Sequence, residues 1–217
     1  MRRIALILAA ISFALPLCAE SGSVLQMDFS NPGLHPPHWT LIIRQDGSGH
    51  FHSERANTTT ADPEGIDAPG VDRDIRLSAR FVERVFQTAH YRALTSGPCE
   101  SHMKVAFQGW KTLTYSGPEG KAVCQFNYAK DREIQSLGDS LVSVAATILE
   151  GARLEFLLQY DRLGLDKETE YLFEAARDGR LQQVCVIRGI LERLSEDQVV
   201  MERVRRRARQ ILTMAEK

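Results

Sequence analysis

Apolar and polar residues alternate along the first half of this chain and recur with helical spacing along the second, and the change falls near residue 130. His38 to Arg44 carries Trp39, Leu41, Ile42 and Ile43 and predicts a strand. Gln45-Asp46-Gly47-Ser48-Gly49 is a turn signal with Asp-Gly at its centre, and Gly49 to Glu54 returns as the partner strand of a hairpin. A two-residue turn at Asp46-Gly47 sets His50 opposite Ile43 and His52 opposite Leu41. Residues 56–71, rich in Thr, Asp, Pro and Gly, read as a loop. Residues 79–93 have Phe81, Val82, Val85, Phe86, Ala89 and Ala93 at helical spacing. Beyond Gly97-Pro98-Cys99, the runs 103–108, 110–115 and 121–128 read as strands, the last two joined by a turn at 116–120.

From Asp131, a capping residue, the period becomes that of a long helix with Ile134, Leu137, Leu141, Ala145, Ile148 and Ala152 on one stripe. The pattern continues to Tyr160, with Gly151 as a candidate break. Asp166 opens a second helix that stops at Asp178-Gly179, where glycine suits a left-handed cap. A third covers about 180–194, and Ser195 with Gln198 forms a capping box for a last helix ending near Met214. Short loops make such helices antiparallel neighbours. The prediction is therefore an α+β protein. An antiparallel sheet with one packed helix occupies residues 20–130, and an antiparallel helical array occupies 131–217.

The first nineteen residues stand apart. Arg2 and Arg3 precede the apolar run Ile4 to Ile11, Pro16 breaks it, and Ala19 supplies the small residue of a cleavage site. This is the pattern of a bacterial-type secretory signal peptide, and the mature chain would begin at Glu20 in the periplasm or outside the cell. The run is shorter than the roughly 20 residues that span a bilayer, so no transmembrane segment is expected. Cys18 offers an alternative, acylation as a lipoprotein; Leu15 suits that motif, whereas Leu17 is bulky where a small residue is usual.

Without Arg2 and Arg3 the net charge moves from −1 to −3, which excludes the basic excess of a nucleic-acid binder. Cys99, Cys124 and Cys185 remain after the leader. In an oxidising compartment Cys99 and Cys124, which bracket one strand-rich segment, are expected to pair. Cys185 lies within Leu181 to Ile187 and reads as a buried free thiol on a helix.

Gly189 to Leu194 followed by Val204 to Leu212 resembles a HEAT-type helical repeat, over roughly forty residues spanning 180–214. The resemblance implies a packing or interaction surface and no chemistry. As a whole the chain is similar to uncharacterised exported bacterial proteins with a disulfide-containing sheet, a family that implies no particular activity.

Gly138-Asp139-Ser140-Leu141 spells the signature of the GDSL serine esterases. That family places the motif near the mature N-terminus, at a strand end, with a downstream Asp-x-x-His. Here it falls inside a periodic helix, and no histidine follows His102. A serine without a base is a poor nucleophile, so the string reads as coincidence. The histidines are better candidates: His35, His38, His50 and His52 fall within eighteen residues. Strand alternation puts His50 and His52 on one face, and with His38 they form a candidate zinc or copper site. Arg203, Arg205, Arg206, Arg207 and Arg209 read as a solvated helical face rather than an anion-binding patch. Gly117-Pro118-Glu119-Gly120-Lys121 lacks the Ser or Thr of a phosphate-binding loop.

No nucleophile–base set and no cofactor loop emerge. The expectation is an exported, non-enzymatic binding module with a protein partner, and the alternative is a metal-binding protein using the 38–52 hairpin.

Overall fold

The computed structural model describes residues 22–55 and 70–215. The expected leader, with Cys18, and most of the expected 56–71 loop lie outside these residues.

Six strands form one antiparallel sheet. In chain order they are β1 (Val24–Ser30), β2 (His38–Arg44), β3 (Ser48–Ser53), β4 (Val71–Arg76), β5 (Trp110–Gly117) and β6 (Gly120–Phe126). Across the sheet the order is β4-β3-β2-β1-β5-β6. Inward positions such as Leu25, Met27, Leu41, Ile43, Phe51, Leu113 and Phe126 are buried. They pack against α1 (Ala79–Thr88) and the first two-thirds of α3 (Arg132–Tyr160). A short helix, α2 (Tyr91–Thr95), follows α1. The α+β class is therefore as the sequence predicts, although the sheet is larger and more than one helix covers it.

Two strands escaped the sequence reading, β1 and β4. One predicted strand does not form: residues 103–108 have no regular structure. The segment enters through His102 at φ 56° and is held by a hydrogen bond from the Gln108 amide to Asn127 Oδ1, 2.7 Å. The predicted 79–93 helix ends at Thr88, and the chain restarts as α2 after His90.

The hairpin register differs by one residue from expectation. Gly47 N donates to Arg44 O at 3.0 Å, and Gly47 takes φ +83°. The connection is thus a three-residue loop with glycine in the left-handed position, not a two-residue turn. His50 consequently faces Ile42 and His52 faces Thr40. A one-residue shift turns every side chain to the other side of a strand. The imidazoles therefore point outward while Phe51 enters the core.

Asp131 caps α3 as predicted, its Oδ1 accepting from the amides of Glu133 (2.7 Å) and Ile134 (3.1 Å). The helix runs through Gly151 without a break. Its first two-thirds, to Ala152, belongs to the sheet's core, and Leu154, Leu157 and Leu158 belong to a second core. That second core is completed by α4 (Gly164–Arg177), a 3-10 turn (Val184–Ile187), α5 (Arg188–Glu196) and α6 (Glu202–Ala215). Gly179 holds the left-handed cap position at φ +72°, with Arg180 N donating to Ala175 O at 2.9 Å.

The predicted 180–194 helix is shorter, because Gln183 at φ 55° interrupts the chain before the 3-10 turn. The expected capping box is absent. Ser195 Oγ donates to Glu192 O within α5, and α6 begins only at Glu202. Among the described residues no helix is long and apolar enough to cross a membrane.

Candidate functional site

The outward face of the sheet carries the histidines. One line of residues crosses all six strands: Asp72, His52, Thr40, Asp28, Thr112 and Gln125 stand in mutual register. Three of the five adjacent pairs along it are hydrogen-bonded through their side chains. His52 Nδ1 lies 2.9 Å from Asp72 Oδ2, Thr40 Oγ1 donates to Asp28 Oδ1 at 2.8 Å, and Gln125 Nε2 donates to Thr112 Oγ1 at 3.3 Å. In the next line His50 Nδ1 lies 2.9 Å from Asp74 Oδ1, and its Nε2 lies 3.4 Å from Asp72 Oδ1. His38 shares the face but turns towards Glu54, 3.8 Å away. Each candidate ring thus faces a carboxylate of the neighbouring chain segment, an arrangement that stabilises a cross-strand pair. Among the described residues no group of three His, Cys, Asp or Glu side chains is placed to hold a metal ion.

Cys99 and Cys124 are bridged, with Cα atoms 5.6 Å apart, tying the segment after α2 to β6. Cys185 departs from expectation. It lies on the 3-10 turn and is exposed, its sulfur 3.7 Å from Arg76 O and from Gln183 Oε1. Partial burial of the sulfur pushes its thiol up, so it is poorly activated as a nucleophile.

The arginines of α6 are largely neutralised within the fold. Arg203 and Arg207 both reach Asp166 Oδ1, at 2.6 and 2.7 Å, and Arg207 also reaches Glu170 at 3.2 Å. Arg205 and Arg209 pair with Glu202. The basic run is a set of interhelical and intrahelical ties.

A different place is concave. Two hollows, of about 770 and 730 Å³, meet along one stripe of α3. Arg132, Ser136 and Ser140, each one helical turn beyond the last, line both, together with Gln182. Tyr128 and Lys130, just after β6, extend the first hollow; Arg84 and Thr88 of α1 extend the second. Gln182 Nε2 sits 3.5 Å from Ser140 Oγ. Among the described residues no histidine lines either hollow, and the serine of the GDSL string has an amide beside it.

The carboxylates beside the first hollow are already engaged. Asp139 accepts from Gln135 Nε2 at 2.8 and 2.9 Å and faces Lys111 Nζ at 3.8 Å. Asp131 is committed to its cap. Lys130 and Arg132 form no ion pair among the described residues. The polar stripe at 132, 136 and 140 was present in the sequence as the complement of the predicted apolar stripe. Its role was not legible there, because the overhanging walls come from residues 84–88, 128–130 and 182.

Comparison with family models, with curated proteins and with solved structures returned no match.

Proposed function

We propose that this chain is an exported binding module without a catalytic centre of its own, and that its ligand seats in the cleft along α3. One observation carries the reading. Arg132, Ser136 and Ser140 face two adjoining hollows, while the other side of the same turns, at Ile134 and Leu141, is core. A cleft of this volume falls within the range of small-ligand sites. The HEAT-like hairpin of α5 and α6 is a weaker candidate for holding a protein partner, because Arg203, Arg205, Arg207 and Arg209 are ion-paired within the fold.

The test is nuclear magnetic resonance on isotope-labelled mature protein with a panel of small polar compounds. Binding in the cleft would move backbone amide signals of residues 128–143 and 182 together. A panel whose hits all cluster elsewhere, or that yields none, removes the reading.

A further inference from the structure

Resting on the reading of the cleft as a ligand site, we infer that its ligand is a carbohydrate bearing a negative charge, a sugar acid or a sugar phosphate.

The negative charge follows from what surrounds the first hollow. Lys130 and Arg132 are cations without a partner among the described residues. Among the described residues the one carboxylate lining that hollow is Asp139, held by the Gln135 amide and by the buried Lys111 ammonium. An anion entering there gains two cations and meets no uncompensated like charge. Arginine offers two parallel N–H donors that match a carboxylate or phosphate, and lysine adds a mobile point charge.

The sugar follows from the remaining lining. Ser136, Ser140, Tyr128 and Gln182 all donate and accept hydrogen bonds, as vicinal hydroxyls of a sugar do. Ser136 and Ser140 are four residues apart on the helix, about 6 Å along the axis. That spacing is comparable to the span between oxygens on opposite sides of a six-membered sugar ring. The Tyr128 ring offers an apolar surface for the C–H face of such a ring. The charged group therefore lies between Lys130 and Arg132, and the hydroxyls run along Ser136, Ser140 and Gln182. A chain longer than one sugar would continue into the second hollow, towards Thr88 and Arg84.

The experiment titrates labelled mature protein with four probes: glucuronate, glucose 6-phosphate, glucose and inorganic phosphate. Glucuronate or glucose 6-phosphate should move the amide signals of 128–143 and 182 to saturation. Glucose and phosphate should each bind about tenfold more weakly or worse. Response to glucuronate alone assigns the charge to a carboxylate, and response to glucose 6-phosphate alone assigns it to a phosphate. Arg132→Ala should weaken the charged sugar about tenfold, and Ser136→Trp should fill the cleft and abolish binding. Arg206→Ala, an exposed change on α6, should leave binding unchanged. Glucose binding as tightly as glucuronate, or phosphate as tightly as glucose 6-phosphate, overturns the inference. So does a cleft that responds to other polar compounds but to neither charged sugar, although the binding reading then stands. A cleft that responds to nothing sinks both.

Discussion

Ile187 of the 3-10 turn packs directly on the bare backbone of Gly151 in α3. A Cβ placed at residue 151 would lie 3.1 Å from Ile187 Cβ and would collide with its Cγ2. Alanine normally stabilises a helix interior over glycine by about 1 kcal/mol. Here the overpacking term of about 1–3 kcal/mol opposes and exceeds it. Gly151→Ala should therefore lower the urea midpoint. Gly189→Ala in α5, where an added Cβ meets nothing within 4 Å, should be neutral or raise it slightly. Equal effects at both positions would mean that the Gly151 contact is not constraining.

Glu150 on α3 should make the fold less stable as pH rises. Burial, then a hydrogen bond and the negative charge of Glu168 on α4, push its carboxyl from 4.5 up to about 9, against the pull of Arg153. Its Oε2 is buried without a hydrogen-bond partner, and Arg153 Nε holds Glu168 at 2.5 Å. Between these two pH values the folded chain keeps a proton that the unfolded chain has lost. Its contribution is complete below about 4.5 and drains away as pH approaches about 9. Glu150→Gln, neutral at every pH, should show a flatter fall in urea midpoint between pH 5 and 8.5 than the wild type. Identical slopes would sink this assignment.

Lys111 tests how much of a buried cation is stem and how much is charge. It lies 2% exposed on the inward side of β5, its ammonium 3.2 Å from Asn127 O and 5.7 Å from the Phe126 ring. Burial pulls its pKa below 10.5, and the charges of Asp139 and Glu100 resist. The stem fills space beneath Gly138, where an added Cβ would sit 3.2 Å from Lys111 Cδ. Lys111→Met keeps that volume and should cost less than about 1.5 kcal/mol. Lys111→Ala opens a cavity and should cost about 2–5 kcal/mol. A methionine variant as unstable as the alanine one would show that the bond to Asn127 matters more than the packing.

The histidines of the outward face should behave as strand-pairing residues. Protein equilibrated with zinc and then dialysed should hold no stoichiometric metal, and His50→Ala with His52→Ala should leave metal content unchanged. Stoichiometric zinc that disappears in the double variant would restore the hairpin-site reading.

What the sequence made legible was periodicity. The six predicted apolar positions of α3 are all buried, Asp131 caps with its carboxylate, and Gly179, free of a Cβ, takes the left-handed cap. Alternation in Val24–Ser30 was equally readable, with Leu25, Met27 and Phe29 inward. Strand β4 was harder, since charged Asp72, Arg73, Asp74 and Arg76 disguise an edge strand anchored by Val71 and Ile75. The hairpin register depended on which residue of Asp46-Gly47-Ser48 takes the left-handed conformation, and dipeptide preference does not decide that. The cleft was the least legible part. Its floor is local in sequence, but its walls are joined only by long-range packing.

The 29-residue α3 is shared by both cores, its stretch up to Ala152 under the sheet and its last turns, from Leu154, among the C-terminal helices. A rod of continuous hydrogen bonds cannot melt on one side while staying wholly ordered on the other without exposing buried residues at the junction of the two cores, such as Ile148 and Leu154. Heat should therefore take the molecule apart in a single calorimetric transition, and splitting the chain at residue 130 should not yield two independently folding pieces.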